Sequence, residues 1–502
     1  MFRRIFYNTV LTAWAFLISG LVGLWLVPVL IHAYGVSGFG LIMLARMFMP
    51  TAGIGLLDFG ISEIATQTVS IARADKDWPC AKQRLQVLLI ATVLLGILVG
   101  GILYFLAPWI SRWLHVGETQ SDAFTQVVQA TAVLLPLLFT GLIFEGILKG
   151  FEDFPRLRTI EVVTLLGYAA VTVCGVYAGW GYSWVAWTFV IAQSAKAATL
   201  GIRLRHCWPS DFSPAVGCLG SARSFVFVRG RLLFFSRIQS TLQHQTPTLF
   251  IGFLVGPAGA GLYDAITRLP RFAKSVLSIL SSTLLPAASR LNASGDHVRL
   301  RYLGEFGLSV LPALVFPPLA IAALFSTDLL AHWLGNNFIK YSPWLAVYWL
   351  VPALNTILSF QSTTLLSRPN FLRDNNLISF VQTVLQLSLS FFLVSGLQQN
   401  AFIIGQVVAT MAVFAWQVRL SRRHLGLPFA RLVRFSAYTI FAITLVVLMR
   451  YSGMYSTFVS LWGLLLAISG GCLLGWAISA RWFLTEEDRC DVRRLFAAVV
   501  RR

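Results

Sequence analysis

Cationic and hydroxyl-bearing side chains repeat along one helical face of an apolar stretch near the middle of the chain. The spacing i, i+4, i+7, i+11, i+14 and i+18 places on that face Asp264, Arg268, Arg271, Ser275, Ser278 and Ser282. Guanidinium groups bind phosphate oxygens bidentately, and one carboxylate cannot neutralise both arginines and the nearby Lys274. The pattern predicts a cationic patch for a phosphate-bearing ligand. The alternative is a structural ion pair between Asp264 and Arg268.

Polar side chains also interrupt two other apolar stretches. In one of them, one helical face carries Arg237, Thr241, His244 and Thr248, and nearby amides come from Gln239, Gln243 and Gln245. These amides could bond sugar hydroxyls, and His244 is either a packing residue or a proton carrier. In the other stretch, Arg46 lies about 12 Å inside the outer turn, where it could contact a phosphate. Asp58 lies nearer the inner end and is either structural or part of ion coupling.

Two further sets of polar residues leave two interpretations open. Lys196, in the sixth apolar stretch, either lines a cavity or extends toward the inner surface, while Glu145 and Lys149 are expected to form a surface pair. In the eleventh stretch, Asn375, Ser379, Gln382 and Gln386 share one helical face. This stripe either contacts sugars or bonds neighbouring helices, and the second interpretation is preferred.

The elements that position these residues must lie in lipid. The chain has 502 residues, 57% hydrophobic and only 12% charged, whereas soluble domains have about 25% charged residues. Apolar stretches long enough to cross a bilayer recur at 9–33, 38–66, 85–110, 123–149, 160–179, 183–203, 226–254, 258–289, 304–326, 342–366, 376–397, 400–418, 433–451 and 456–480. Strands of a membrane barrel would be only about ten residues long. We therefore predict an all-α integral membrane protein with about 14 transmembrane helices.

The distribution of positive charge assigns sides to these spans. Of the 39 lysines and arginines, 28 fall in the termini and the even-numbered connections, and three fall in the odd-numbered ones. Because positive charge resists translocation, both termini are expected in the cytoplasm. Scattered over short loops facing an anionic leaflet, these cations do not indicate nucleic-acid binding. The last residues, after Arg481, predict an amphipathic helix on the inner leaflet.

Two glycine-rich connections have matching patterns in the two halves of the chain. Residues 35–41 open the second span and residues 256–262 open the eighth, and both read Gly-x-x-Gly-x-Gly-Leu. Their equivalent positions predict a parallel repeat.

Around these turns the sequence resembles the Wzx-type oligosaccharide flippases. These polysaccharide exporters belong to the superfamily that also contains the multidrug/toxin (MATE) exporters and the lipid II flippase. The resemblance is carried by residues 34–41, 57–61, 146–151, 256–263, 285–286 and 292–296. It covers the first two-thirds of the chain, and the remainder matches only in helix count.

The resemblance implies two six-helix lobes in a V, followed by two further helices. The N-lobe would be 1–215, the C-lobe 216–430, and helices 13 and 14 with the tail 431–502. Such proteins move undecaprenyl-diphosphate-linked sugar repeat units across the bacterial inner membrane by alternating access, for surface polysaccharide synthesis. The expected partners are this anionic lipid-linked oligosaccharide and membrane lipid, with a polysaccharide polymerase and a chain-length regulator as further candidates, and the expected state is a monomer.

The predicted site has two sets of residues. The predicted substrate-binding cations are Arg46, Arg237, Arg268, Arg271 and Lys274. The candidates for polar or coupling roles in the cavity are His244, Gln243, Asp264, Ser275 and Asp58, although the resemblance makes Asp58 look architectural. No cofactor or metal is expected, because the six cysteines lack metal-ligand spacing and no Walker motif occurs.

Two other functions are weighed against the flippase. A MATE-like cation or drug antiporter could use the same scaffold, but cationic substrates need cavity carboxylates, and more arginine than acid is expected there. A membrane glycosyltransferase or ligase would need acid–base groups on an outer loop. The longest outer loops, near 111–122 and 327–341, offer His115, Glu118, Asp122, Asp328 and His332 without a recognisable arrangement.

Overall fold

The chain folds into helices throughout the part that the structure describes. This computed structural model describes residues 2–52, 60–75, 78–207, 238–239, 241–282, 297–365, 369–425, 461–482, 484 and 486. The α-helices are α1 (Phe2–Met47), α2 (Ile61–Asp75), α3 (Trp78–Trp113), α4 (Glu118–Gly150), α5 (Phe154–Tyr177), α6 (Tyr182–Cys207), α7 (Thr246–Leu254), α8 (Pro257–Ser282), α9 (His297–Leu324), α10 (Ser326–Leu334), α11 (Ser342–Tyr348), α12 (Leu350–Leu365), α13 (Pro369–Leu397), α14 (Asn400–Leu425) and α15 (Leu461–Trp482). A 3₁₀ helix covers Asn336–Tyr341.

Many of these helices are suited to a bilayer. Among the described residues, eight helices are long and apolar enough to cross a membrane, or nine if the bent pair α9–α10 counts as one span. Large apolar side chains such as Phe105, Phe392 and Trp462 are about four-fifths exposed, as expected where lipid is the solvent. The prediction of an all-α multi-pass membrane protein is confirmed. The predicted span 433–451 lies outside the described residues, and every other predicted span overlaps a described helix.

The chain divides into two compact units, Met1–Ala265 and Ile266–Arg502, and the division falls inside α8. The lobe limits at 215 and 430 stay predictions. Arg46 therefore belongs to the first unit, whereas Arg268, Arg271 and Lys274 belong to the second.

The two glycine-rich connections share a backbone feature and touch each other. Gly35 breaks α1 with a φ of 69°, and the equivalent Gly256 precedes α8 with a φ of 96°. A Cβ atom on Gly40 would lie 1.8 Å from the carbonyl oxygen of Pro257, and one on Gly261 would lie 2.4 Å from that of Val36. Only glycine permits this approach, which packs equivalent positions of the two matching motifs backbone to backbone.

The second predicted span is broken. Helix α1 ends at Met47, a turn covers residues 48–52, and α2 begins after Gly60, whose φ is 70°. Helix α2 packs closely on α4 because Gly146 and Gly150 carry no side chain: a Cβ on Gly146 would lie 2.3 Å from the Ser62 carbonyl oxygen. The Thr66 hydroxyl donates to the Gly146 carbonyl at 2.9 Å. This small-residue pair explains the motif at 146–151 as a packing element.

The predicted outer loop at 327–341 is largely helical. The apolar part of α9 and the short α10 meet at a 66° bend, and the 3₁₀ helix follows. Asp328 is only 2% exposed, and a ring nitrogen of His332 lies 2.9 Å from the Asp328 carbonyl oxygen. These residues therefore belong to a packed element and do not sit on a free outer loop.

Helix α15 packs on α9 within the second unit. Gly471 and Gly475 face Ile321 and Pro317, and the Trp476 indole donates to the Leu314 carbonyl at 2.9 Å. The last predicted span therefore packs against the ninth.

Helices α13 and α14 pack along an uncharged polar seam. The Gln382 amide donates to Thr410 at 3.1 Å, and the Gln417 amide donates to Asn375 at 2.8 Å. Because Gln382, Gln386 and Gln417 are all buried, the stripe on the eleventh span bonds neighbouring helices, as preferred above.

Candidate functional site

The cationic face predicted on α8 is present as one continuous helical face from Asp264 to Ser275. Asp264 is 4% exposed, while Arg268, Arg271 and Lys274 are half-buried. The Arg271 guanidinium turns back along its helix: its Nη2 donates to the Thr267 hydroxyl at 2.5 Å and its Nε donates to the Thr267 carbonyl at 3.3 Å. Thr267 is fully buried, so it fixes the direction of this guanidinium.

The last residue of this face is less enclosed. The Ser275 hydroxyl is exposed and donates to the Arg271 carbonyl at 3.0 Å. Within two to three turns, this stretch of α8 therefore presents three cations and a hydroxyl, a set that can bind phosphate oxygens.

The seventh predicted span contributes buried polar groups beside a short helix. Gln243 is buried and His244 is half-buried. The Thr246 hydroxyl donates to the Thr241 carbonyl at 3.1 Å, just where Pro247 opens α7. Arg237 lies outside the described residues, as does Asp58.

Arg46 lies on an aromatic ring that the sequence analysis did not single out. Its guanidinium carbon is 4.1 Å from the centroid of the Phe189 ring on α6. The ring face attracts the cation and also limits its movement. A phenylalanine in an apolar span gives no sequence signal for this role, so only the structure pairs the two residues.

A pocket, here called the α4–α6 pocket, lies one to two turns further along α6. It has about 360 Å³ of empty space, part of it open to the outside, between α4, α6 and the turn that follows α1. Its lining residues are Met49, Pro50, Thr51, Leu138, Gly141, Leu142, Glu145, Gln193, Lys196, Ala197 and Leu200. Phe189, Gln193, Lys196 and Leu200 follow i, i+4, i+7 and i+11, so the Arg46 contact and the pocket share one face of α6.

An ion-pair cluster on three helices forms one wall of this pocket. The Lys196 ammonium lies 3.2 Å from a Glu145 oxygen and 3.3 Å from a Glu161 oxygen. The other Glu145 oxygen is 2.7 Å from the Lys149 ammonium, and the other Glu161 oxygen is 2.6 Å from Arg158. Lys196 thus lines a pocket and joins α4, α5 and α6.

One sequence expectation is corrected by this cluster. Glu145 and Lys149 do pair, but the Glu145 side chain is only 16% exposed, so the pair is not on the surface. The carboxylate is enclosed because it also accepts from Lys196. The sequence did contain a signal for this cluster, namely charged residues inside predicted spans, because such groups usually pair or line a cavity.

The predicted site residues thus fall into separate groups, each described within its own unit. Arg46 lies with the α4–α6 pocket in the first unit, and Arg268, Arg271 and Lys274 share α8 in the second. Within the described part of the chain, no cluster of histidine, cysteine or acidic residues could hold a metal ion.

The fold of this all-helical membrane chain is similar to that of solved transporters, some of them described as members of the MOP superfamily. It is similar to the lipid II flippase MurJ in an inward closed conformation, with a TM-score of 0.71 and 11% identity over 95% of this chain and 99% of that one. It is also similar to an inward-facing multidrug resistance MATE transporter, with a TM-score of 0.56 and 11% identity over 84% and 94%. A MOP superfamily transporter from Pyrococcus furiosus gives a TM-score of 0.57 and 13% identity over 84% and 95%.

The chain belongs to the polysaccharide biosynthesis protein family, whose family model matches residues 5–292. No curated protein matches the chain. At 11–13% identity the similar structures define the fold alone, and the proteins named with that fold are a flippase and transporters.

Proposed function

We propose that this protein is a flippase that moves an undecaprenyl-diphosphate-linked oligosaccharide repeat unit across the bacterial inner membrane. Alternating access would carry the head group from the cytoplasmic to the outer leaflet, for surface polysaccharide synthesis. The family match and the transporter fold support a role in moving a lipid-linked precursor. A polymerase and a chain-length regulator are the partners that such a pathway would supply.

The observation that carries the proposal is the cationic face of α8. A diphosphate presents several anionic oxygens, and Arg268, Arg271 and Lys274 offer positive charge at half-buried positions where water screens it less than at the surface. Thr267 holds the Arg271 guanidinium in one direction, which lowers the entropy lost on binding.

A bacterial strain that lacks its own repeat-unit flippase tests the proposal. Arg268→Ala and Arg271→Ala should each leave the protein inserted and folded but abolish surface polysaccharide. Arg301→Ala is the matched control, because Arg301 is exposed and pairs with Glu305 on α9. Normal polysaccharide in both α8 variants, at wild-type expression, would remove the assigned site.

The antiporter alternative has one favourable observation, the Glu145 carboxylate in the α4–α6 pocket. Both of its oxygens already accept from lysines, which leaves the carboxylate less able to bind a cationic drug. A susceptibility panel discriminates the two functions. Drug efflux coupled to sodium or protons would favour the antiporter, and unchanged susceptibility is expected.

A further inference from the structure

Arg46 is the residue of its segment that reaches an accessible space. Every other residue from Gly38 to Pro50 is buried, whereas Arg46 is half-buried. A charged side chain inside a membrane span usually faces a cavity or a polar partner and not the lipid. An anionic ligand that enters such a cavity can therefore reach this guanidinium.

The ring of Phe189 supports this guanidinium from a different helix. The guanidinium carbon of Arg46 is 4.1 Å from the ring centroid, well inside the roughly 6 Å limit of a cation–π contact. A guanidinium that stacks on a ring keeps its N–H donors at its edge, and this edge is the part that binds phosphate oxygens. The contact with Phe189 therefore orients the cation without using the donors that would bind a ligand.

A second ring holds Phe189 in place. The Tyr168 ring on α5 packs edge-to-face against it, with the centroids 5.4 Å apart and the planes at 74°. Phe189 is only 7% exposed and Tyr168 only 5% exposed, so neither ring has room to turn away. The direction of the Arg46 side chain thus depends on the packing of α1, α5 and α6.

The ion-pair cluster sets the register of this ring pair. Glu161 lies seven residues before Tyr168 on α5, and Lys196 lies seven residues after Phe189 on α6. Seven residues are two helical turns, so each helix uses one face for both contacts, about 10 Å apart. The Lys196–Glu161 pair at 3.3 Å therefore fixes the alignment of α5 and α6 that brings the two rings together.

We infer that Phe189 is a positioning residue, which holds the Arg46 guanidinium toward the phosphate groups of the transported lipid while Tyr168 holds Phe189. The inference rests on the proposed function and adds a phosphate-binding arginine in the first unit to the cations of α8. In the second unit, Thr267 directs Arg271 from the same helix. In the first unit, neighbouring helices do this for Arg46.

Binding of undecaprenyl diphosphate without a sugar tests the inference on the purified full-length protein in lipid nanodiscs. Arg46→Ala should weaken binding about tenfold, because a charge-assisted phosphate contact is lost. Phe189→Leu should weaken it about fivefold, the size of one cation–π contact. Phe189→Tyr keeps the ring face and should bind within about twofold of wild type. Binding of the uncharged undecaprenol should be the same in all four proteins.

A double-mutant cycle separates positioning from packing. In the Arg46→Ala background, Phe189→Leu should weaken diphosphate binding no further, because the residue that the ring positions is already absent. Phe402→Leu is the matched control, since Phe402 is fully buried and its ring lies 6.2 Å from that of Phe391 at 70°. It should lower the midpoint of thermal unfolding about as much as Phe189→Leu does and leave lipid binding unchanged.

The outcomes distinguish the inference from the proposed function. The inference alone is overturned if wild type binds the diphosphate lipid through the α8 cations while Arg46→Ala or Phe189→Leu binds it equally well. It is also overturned if Phe189→Leu weakens binding by the same factor with and without Arg46, since the ring then acts only by packing. A wild-type protein that does not bind the diphosphate lipid would remove the proposed function, and the inference with it.

Discussion

The two units bury polar side chains between helices in different ways. In the first unit, α4, α5 and α6 are joined by a cluster of charged residues around Lys196, and this cluster forms the wall of a pocket. In the second unit, α13 and α14 are joined by neutral amides and hydroxyls around Gln382, which is only 5% exposed. Both arrangements satisfy polar groups away from water.

The difference is informative because charges cost far more to bury than amides do. A neutral seam is enough to join two helices in a membrane, as α13 and α14 demonstrate. Apolar replacements of a buried ion pair are often neutral or stabilising, so packing alone does not account for the charges around Lys196. The contrast favours a structural role for the amide seam and a functional role for the charged cluster.

The largest expected effect is the loss of the shared cation. Lys196→Met would leave Glu145 and Glu161 with one partner fewer each, and breaking a buried pair costs about 3–5 kcal/mol. The midpoint of thermal unfolding of the purified protein should fall strongly. Arg73→Met, which breaks a pair with Glu152 in which both side chains are exposed, should change the free energy of unfolding by under about 1 kcal/mol. Equal effects of the two variants would remove the contrast between the regions.

Replacing the whole cluster should recover much of that stability. In the variant that combines Glu145→Leu, Lys149→Met, Arg158→Met, Glu161→Leu and Lys196→Met, no charge of the cluster is left without its partner, and we expect stability within about 2 kcal/mol of wild type. Surface polysaccharide in the flippase-deficient strain should nevertheless stay absent. A stable variant of this kind that supports normal polysaccharide would make the cluster purely structural.

The smallest effect is expected in the amide seam. The coupling energy between Gln382→Leu and Thr410→Val, measured by a double-mutant cycle, should be about 0.6 kcal/mol, near the average for hydrogen bonds between membrane helices. Transport should be unchanged, because the amides and hydroxyls of the seam bond to one another between the two helices. A loss of transport at wild-type stability would assign the seam a functional role.

The sequence predicted the membrane class and most of the helices because long apolar stretches and loop charges depend on local composition. It also predicted the α8 face, since helical periodicity fixes which residues share a side. It could not reveal that Arg46 lies on Phe189, or that Glu145, Glu161 and Lys196 meet, because these contacts join helices that are distant in the chain. The bend after α9 was not predicted either, because an apolar run does not specify where the helix changes direction.

The contact between Gly40 and Gly261 limits how the two matching glycine-rich motifs can diverge. Repeated halves usually acquire differences independently, each according to its own neighbours. Here the backbone of each motif fills the space that a side chain on the other motif's glycine would need. A side chain on either glycine would therefore push the other backbone away. Mutational drift in one half is therefore restrained by the other, so both glycines should persist in related chains whose surrounding sequences have become unrecognisably different.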